Sequence, residues 1–509
     1  MIELPLIVQA DGAVLLETWH DEYESTRDRL GRFATLEKSP EYVHFYRITP
    51  VSIWNAAALG ETATETITWL TDNARFPVAA AVTNRIAEWF RRYGLIALHA
   101  AAAGRLRLCC DDEAVIEELA ANEAVLELVT FADDGSMTLP AARRGELKQV
   151  LIRIGYPVDD RAGYETGVAL SFSLRRQLRD GRAFALRDYQ AEAAAAFHAG
   201  GSDRGGCGVV VLPCGAGKTV VGLLAASRVG MRTLVVTSGT AAAEQWRREA
   251  LARFEIAEAD VVTYTSGAHR VAPITVTTYS MLASKGGSGP TKHTHFDRLS
   301  QEDFGLVIYD EVHLVPAPVF RLTAALQAKR RLGLTATLVR EDGRERDVFA
   351  LIGPKRFDVP WRELEASGHI AEGLCVEYRV ALTDAHRDAY ARADVREAPA
   401  VAASNPAKLD AVEALLQRHA GEPTLVIGSY LEPLERIARR FTLPLVTGAT
   451  SAAEREVLYE RFRQGEVSTL VLSRVGNSSI DLPGASVMIQ VSGSMGSRQE
   501  EAQRLGRIL

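Results

Sequence analysis

The stretch that decides the fold is Gly208-Val209-Val210-Val211-Leu212-Pro213-Cys214-Gly215-Ala216-Gly217-Lys218-Thr219, and the apolar segment 220–227 follows it. An apolar run, a glycine-containing loop and a second apolar segment predict a strand–loop–helix unit. In such a loop the backbone N–H groups turn toward phosphate oxygens, and the helix N-terminus adds positive potential. We therefore predict a phosphate-binding loop shaped by Gly215 and Gly217. Lys218 would reach the β- and γ-phosphates of ATP, and Thr219 would bind Mg²⁺.

A second motif, Asp310-Glu311-Val312-His313, follows the apolar run 306–309. A carboxylate at the tip of a neighbouring parallel strand is where Mg²⁺ is held against a phosphate loop. We assign Asp310 to the metal ion. Glu311 is assigned to the attacking water, because hydrolysis needs a base within hydrogen-bonding reach. The two motifs together predict a nucleoside triphosphatase with ATP and Mg²⁺ as cofactors.

Apolar strands and helical segments alternate on both sides of these motifs. Strands without polar alternation are typical of parallel sheets that are covered by helices on both faces. The same pattern resumes after residue 420. The sequence therefore predicts an α/β protein with two tandem lobes built on parallel sheets, at 181–365 and 366–509.

The first 180 residues have a different character from the rest of the chain. They carry 19 basic and 27 acidic residues, whereas the remainder carries 39 and 38. Apolar residues recur at helical spacing in 61–73 and 79–93, and mixed strand and helix patterns follow. We predict two smaller α+β domains, 1–103 and 104–180. Because the chain is acidic overall, contacts with nucleic acid must use local basic groups or backbone donors.

The composition excludes several classes of protein. With 509 residues, 47% hydrophobic and 24% charged, the chain is typical of globular proteins with several domains. It has no apolar run long enough to span a membrane, and an acid at position 3 argues against a secretion signal. Its five cysteines lack C-x-x-C spacing, which argues against a disulfide framework and against structural zinc. We expect a cytoplasmic protein, in contact with the nucleoid and not with a membrane.

Further motifs resemble those of the superfamily 2 helicases and, within them, the XPB family. They are the DEVH box at 310–313, Thr335-Ala336-Thr337, Arg340-Glu341-Asp342, the segment 473–483 with Asp481, and Gln503-Arg504-Leu505-Gly506-Arg507. The resemblance implies RecA-like lobes and an ATP-driven 3′→5′ DNA helicase or translocase that acts in DNA repair, such as nucleotide excision repair, or in transcription. It also implies DNA at single-strand–duplex junctions as the partner. Some family members suggest a nuclease partner as well, and we expect a monomer.

The resemblance assigns roles to individual residues. Arg504 and Arg507 would reach the γ-phosphate and stabilise charge in the transition state. Arg187 and Gln190, in Leu186-Arg187-Asp188-Tyr189-Gln190, would contact the adenine. Residues that would line the DNA strand or couple it to the nucleotide are Trp246, Thr278, His313, Thr335, Thr337, Arg340, Glu341, Asp342, Asp481 and Gln503. An apolar Trp246 is equally consistent with the protein core.

Several alternatives stay open. The family carries another arginine three positions after Arg507, where this sequence has ended, so we expect the ATPase of the chain to be impaired. The thumb-like insertion expected in the second lobe is short, at about 384–405, and is either a weak clamp on the strand or an ordinary loop. Two alternative functions are a duplex-translocating motor of a restriction system and an ATP-switched DNA-binding scaffold with weak hydrolysis. The former needs a nuclease site, and Glu146-Leu147-Lys148 has no Pro-Asp at suitable spacing before it.

Overall fold

The computed structural model describes residues 4–38, 40, 42–102, 104–132, 135–161, 167–179, 181–201, 205–284, 294–314, 330–336, 345–359, 361–371, 373–473 and 485–493. The chain divides into two compact units. The first contains 1–211, 219–237 and 246–358, and the second contains 212–218, 238–245 and 359–509. Within the described ranges, none of the helices combines the length and the apolar character that crossing a bilayer requires.

The N-terminal sheet is antiparallel, with the strand order β1-β2-β4-β3. Its elements are β1 Leu6–Val8, β2 Ala13–Glu17, α1 Tyr23–Leu30, β3 Thr35–Lys38, β4 Val43–Arg47, α2 Pro50–Ala58, α3 Ala63–Asp72 and α4 Ala80–Arg92. Thr62 is the N-cap of helix α3, and its side chain forms a reciprocal capping box with Glu65. Val82 and Ile86 of α4 are buried in the core of this sheet. The helices predicted at 61–73 and 79–93 are confirmed to within two residues.

A second sheet follows, with the strand order β7-β8-β6-β5-β9. Its elements are β5 Ile96–Ala100, β6 Arg105–Cys109, α5 Glu113–Ala120, α6 Glu123–Leu126, β7 Thr130–Phe131, β8 Met137–Pro140, α7 Arg144–Arg153 and β9 Val158–Asp160. Strands β5 and β6 pair as an antiparallel hairpin. Leu98 of β5 and Leu106 of β6 belong to the same buried core. The predicted boundary between 103 and 104 therefore falls inside this hairpin, and β5 belongs with the second sheet.

The first lobe is built on a seven-stranded sheet in which every neighbouring pair is parallel, with the order β14-β15-β12-β16-β17-β11-β18. The strands are β11 Cys207–Val211, β12 Thr233–Thr237, β14 Val261–Thr263, β15 Ile274–Thr278, β16 Leu306–Asp310, β17 Arg330–Thr335 and β18 Lys355–Asp358. The helices are α8 Asp188–His198, α9 Lys218–Val229, α10 Thr240–Arg253, α11 Tyr279–Ala283, α12 Thr294–Ser300 and α13 Glu345–Leu351. A small antiparallel pair, β10 Ser173–Leu174 and β13 Phe254–Glu255, accompanies this sheet.

One feature of this sheet corrects the sequence-based expectation. Strand β16, which ends in Asp310, is not the neighbour of β11, which leads into the phosphate loop; β17 pairs with both. Because β17 ends in Thr335, the threonine motif and the acidic motif follow adjacent strands. In a parallel sheet these strands end at the same edge, which is where such folds bind ligands.

The second lobe has a four-stranded parallel sheet with the order β20-β21-β19-β22. Its elements are α14 Trp361–Ala366, α15 Asp384–Arg392, α16 Ala398–Ala403, α17 Ala407–Arg418, β19 Thr424–Ile427, α18 Leu431–Phe441, β20 Leu445–Val446, α19 Ala452–Arg463, β21 Thr469–Leu472 and β22 Val487–Gln490. Leu425 and Leu470 point to one core, and Val426 and Val471 point to another. Both faces are therefore buried, as predicted for parallel strands.

The predicted thumb-like insertion at 384–405 contains the short helices α15 and α16. Helix α15 has no buried residue, and its Arg387 side chain is 67% exposed. Both interpretations of the insertion, a weak clamp and an ordinary loop, remain consistent with these helices.

The two N-terminal sheets and the first lobe share an apolar junction. It is formed by Trp54 of α2, Ile152 of α7, and Phe349 and Ala350 of α13. The rings of Trp54 and Phe349 lie 6.1 Å apart between centroids. Beside them, the backbone N–H of Lys355 donates to the side-chain oxygen of Asn55 at 2.9 Å. Buried aromatic and hydrogen-bonded contacts therefore fix α2 against the first lobe.

Candidate functional site

The predicted phosphate loop has the expected local conformation. Strand β11 ends at Val211, and α9 begins at Lys218. Between them Gly215 and Gly217 have φ values of +79° and +77°, which glycine adopts without the steric cost that other residues meet. The loop thus leads into a helix N-terminus that carries Lys218 and Thr219, the arrangement that phosphate binding needs.

Asp310 is held by two hydrogen bonds from buried aromatic side chains. The indole N–H of Trp246 on α10 donates to Oδ2 of Asp310 at 2.9 Å. The hydroxyl of Tyr279 on α11 donates to the Asp310 backbone carbonyl at 2.8 Å. Only 1% of Trp246 and 4% of Tyr279 is exposed. Side chain and backbone of Asp310 are thus both oriented from within the first lobe.

The residue after Asp310 adopts an unusual backbone conformation. Glu311 has φ = +50°, in the left-handed region that non-glycine residues adopt rarely. The short 3-10 turn Val312–Leu314 follows directly, so the chain reverses at Glu311. Backbone strain of this kind costs on the order of 1–3 kcal/mol and occurs preferentially at functional sites. The Glu311 side chain, 17% exposed, remains accessible to solvent.

A buried hydrogen bond joins the acidic motif to the threonine motif. Nδ1 of His313 lies 2.7 Å from Oγ1 of Thr335, and 3.4 Å from Oε2 of Glu311. His313 and Thr335 are 5% and 0% exposed, so neither side chain contacts bulk solvent. The three residues therefore form a continuous polar connection from the end of β16 to the end of β17.

The predicted adenine-contacting residues lie together at the start of α8. The backbone N–H of Arg187 donates to Oε1 of Gln190 at 3.2 Å, and the Arg187 guanidinium donates to the Tyr189 hydroxyl at 3.0 Å. Gln190 is 5% exposed. These bonds fix the orientation of both side chains. Contact with an adenine stays a prediction.

Two residues predicted to line the DNA path prove to be internal. Trp246 packs in the core, so its buried indole cannot contact a strand directly, and the core alternative for this residue is correct. Thr278 is 4% exposed, and its hydroxyl accepts from the backbone N–H of Met281 as the N-cap of α11. Both residues therefore shape the elements of the site from within. The sequence could not show this, because the pattern of α10 does not tell which way Trp246 points.

Other predicted site residues lie outside the described residues. They are Thr337, Arg340, Glu341, Asp342, Asp481, Gln503, Arg504 and Arg507. The resemblance placed Tyr279 only in a motif that lines the strand path and gave no sign of its hydrogen bond to the Asp310 backbone carbonyl. It also passed over Gly222, a glycine inside the apolar helix α9, which leaves room for the Trp246 ring.

The donor atoms of this site fit a magnesium ion. Mg²⁺ prefers oxygen ligands and is commonly held in nucleotide sites by one or two protein oxygens together with phosphates and water. Asp310 offers a carboxylate oriented by the Trp246 N–H, and Thr219 offers a hydroxyl. Among the described residues there is no cluster of three or more histidine, cysteine or acidic side chains of the kind that holds a metal ion by protein ligands alone.

Three family profiles match successive segments of the chain. The family profile described as "ERCC3/RAD25/XPB C-terminal helicase" matches residues 364–509. The profiles "Type III restriction enzyme, res subunit" and "Helicase conserved C-terminal domain" match 183–340 and 6–134. These matches together reach from the N-terminal sheet to the last residue.

Curated relatives are similar over the full length of this chain. The "DNA 3'-5' helicase XPB" of Mycobacterium tuberculosis is 46% identical, covering 100% of this chain and 90% of the relative. The protein of the same name from Kineococcus radiotolerans is 47% identical, covering 100% and 89%. The "General transcription and DNA repair factor IIH helicase/translocase subunit XPB" of Antonospora locustae is 35% identical, covering 100% and 75%.

Proposed function

Since the chain belongs to the XPB family of DNA helicases, we propose that it is an ATP-dependent 3′→5′ DNA helicase and translocase that couples ATP hydrolysis to movement along DNA and to duplex opening. The observation that carries the proposal is the polar connection at the edge of the parallel sheet. There the acidic motif is joined to Thr335 through the His313 hydrogen bond. The alternative of a restriction motor is not favoured, because the full-length relatives are named as XPB helicases.

In this proposal ATP binds at the phosphate loop. Gly215 and Gly217 let backbone N–H groups face the phosphates, and Lys218 contacts the β- and γ-phosphates. Arg187 and Gln190 contact the adenine. Thr219 and Asp310 would hold Mg²⁺, which when bound neutralises charge on the phosphate oxygens.

Glu311 acts on the attacking water. Its carboxylate accepts a proton from the water as the oxygen attacks the γ-phosphorus and the bond to the β-phosphate oxygen breaks. The Glu311 carboxylate lies beside the His313 ring, with Oε2 3.4 Å from Nδ1. Arg504 and Arg507 are assigned to charge stabilisation in the transition state.

The connection from Glu311 through His313 to Thr335 would report the state of the nucleotide to the DNA-binding motifs. Thr337, Asp481 and Gln503 are assigned to strand contact and coupling, and the internal Thr278 supports them as the N-cap of α11. Arg340, Glu341 and Asp342 are assigned to duplex opening. In such motors, backbone N–H and hydroxyl groups of the protein contact the phosphates of the DNA backbone. Binding of this kind does not need an excess of basic residues, and the two lobes carry nearly equal numbers of basic and acidic residues.

The physiological setting is also a proposal. We place the activity in DNA repair, in the cytoplasm at the nucleoid, with the protein acting as a monomer beside a nuclease partner. Two relatives are named as helicases and a third as a transcription and DNA repair factor subunit, which supports repair and leaves transcription as a second setting. By the same resemblance, 104–180 is assigned to a damage-recognition-like role and 1–103 to an accessory role.

The test combines ATP hydrolysis with strand displacement. We expect DNA to stimulate ATP hydrolysis, and we expect displacement on duplexes with a 3′ overhang but not on those with only a 5′ overhang. Lys218→Ala should abolish stimulated hydrolysis, because the β- and γ-phosphates lose their cationic contact. Stimulated turnover that survives this substitution would contradict the proposed site. Preserved nucleotide affinity with no hydrolysis in the unaltered chain would favour an ATP-switched scaffold.

A further inference from the structure

The contacts of Asp310 single out two residues with no assigned role in the reaction. Trp246 donates to its carboxylate, and Tyr279 donates to its backbone carbonyl. These donors come from different helices, α10 and α11. Two independent bonds therefore converge on the residue that is proposed to hold Mg²⁺.

The Trp246 ring packs closely against a glycine of the neighbouring helix α9. A Cβ atom at Gly222 would lie 2.4 Å from Cη2 of Trp246 and 3.0 Å from Cδ1 of Leu334, so only glycine leaves room for the ring at this point of α9. Leu334 is the residue before Thr335 on β17. The indole therefore packs closely against α9 at Gly222, and its N–H donates to Asp310.

This arrangement has a direct chemical meaning. A hydrogen bond from a buried donor to a carboxylate is charge-assisted and restricts the rotation of the carboxyl group. Residues that orient a metal ligand in this way typically change metal affinity by 10–100-fold when the bond is lost. A purely structural indole would need only some acceptor for its N–H, and the bond would not affect the metal.

We infer that Trp246 and Tyr279 are positioning residues that set the orientation of the Asp310 carboxylate for the metal–nucleotide complex, an inference that rests on the proposed function. Trp246 restrains the carboxylate through its hydrogen bond to Oδ2. Tyr279 fixes the peptide from which the side chain extends. Neither residue contacts the nucleotide in this role.

The experiment removes single hydrogen bonds while preserving shape. Trp246 is replaced by 3-benzothienylalanine, in which sulfur takes the place of the indole N–H, and a second variant carries Tyr279→Phe. Mn²⁺ binding is measured by electron paramagnetic resonance in the presence of a non-hydrolysable ATP analogue. We expect Mn²⁺ affinity to fall by about tenfold or more for the Trp246 variant and by less for Tyr279→Phe. The Mg²⁺ concentration for half-maximal DNA-stimulated hydrolysis should rise in parallel.

Two matched controls have the same local chemistry elsewhere. Trp54 is 1% exposed and donates its indole N–H to the Trp89 carbonyl at 3.1 Å. Tyr264 is 1% exposed, and its hydroxyl lies 3.0 Å from Nδ1 of His295. The same replacement at Trp54, and Tyr264→Phe, should leave Mn²⁺ affinity unchanged whatever they do to thermal stability.

The outcomes separate this inference from the proposed function. Unchanged Mn²⁺ affinity in both the Trp246 and the Tyr279 variants, with a folded protein by circular dichroism, overturns the inference and leaves the ATPase proposal intact. An equal loss in the control variants overturns it as well, because the effect would then be one of stability. If Lys218→Ala retains stimulated turnover, the proposed function fails independently of the Mn²⁺ measurements.

Discussion

At the scale of single residues, the site depends on the unusual backbone of Glu311. Glu311, directly after Asp310, has a left-handed backbone conformation that residues other than glycine adopt rarely. Asp310 is oriented by Trp246, whereas Glu311 lies beside His313. These different neighbours agree with the proposal that Asp310 holds the metal and Glu311 acts on the attacking water.

The residue-scale prediction is that Glu311→Gln abolishes turnover but not binding. The amide keeps the size of the side chain and cannot accept the proton of the attacking water, so we expect kcat to fall by about 10²- to 10⁴-fold. Single-turnover hydrolysis with DNA and titration with a fluorescent ATP analogue provide the two measurements. A variant with normal turnover would remove Glu311 from the mechanism.

Residue identity was more predictable than residue environment. The sequence indicated Lys218 through the strand–loop–helix setting of its glycine loop, and it indicated Asp310 and Glu311 only in combination with that loop. For Trp246 the sequence left strand contact and the protein core equally open, and the residue is buried in the core. Its direction is set by contacts with Gly222 and Asp310, which come from distant parts of the chain.

At the scale of elements, helix α9 shows how packing overrides helix propensity. Glycine within a helix is unfavourable by about 0.5–1 kcal/mol relative to alanine. Nevertheless Gly222 lies in the middle of α9, because any side chain there would overlap the Trp246 ring. Helix α9, which begins at the phosphate loop, therefore packs closely against Trp246 of α10, the residue that orients Asp310.

The element-scale prediction is that Gly222→Ala destabilises the protein despite its better helix propensity. Overpacking should lower the free energy of unfolding by about 1–3 kcal/mol, measured by urea denaturation. Gly267→Ala is the control, because nothing lies within 4 Å of an added methyl group there. Equal stability of the two variants would show that the ring moves aside without cost.

The elements also show where sequence reasoning ends. Apolar strands and intervening helices predicted parallel sheets in both lobes, and both are confirmed. The order of strands was not predictable, because β17 follows β16 in sequence yet pairs with β11 as well. Pairing order depends on which helices cover the sheet, and that is decided by contacts between distant segments. The same limit applies to β5, whose hairpin partner lies across the predicted boundary.

At the scale of the whole molecule, a buried charge cluster lies in the second N-terminal sheet. Arg144 and Lys148 of α7 form ion pairs with Asp160 at the end of β9. Burial by itself raises the pKa of Asp160, but the charges of Lys148 and Arg144 and their hydrogen bonds outweigh it and lower the pKa to about 2. Burial lowers the pKa of Lys148. Such a cluster is stable only while its carboxylate is charged.

The whole-molecule prediction concerns acid stability. A carboxyl with a folded pKa of about 2 and an unfolded pKa of about 3.9 contributes stability that is fully present above about pH 4 and is lost as the pH falls toward 2. The contribution is on the order of 2 kcal/mol. Asp160→Asn should lower stability at pH 7 and flatten its dependence on pH between 5 and 2, measured by chemical denaturation. An unchanged pH dependence would contradict the charged state assigned to the cluster.

The shared apolar junction of Trp54, Ile152 and Phe349 has a mechanical consequence. Because α2 and α7 pack against α13, the two N-terminal sheets are held against the first lobe and are not joined to it by a flexible linker alone. Any surface that the two N-terminal sheets present therefore moves together with the first lobe. If the chain moves along DNA as proposed, an obstacle that meets the N-terminal sheets would act on the first lobe through this junction.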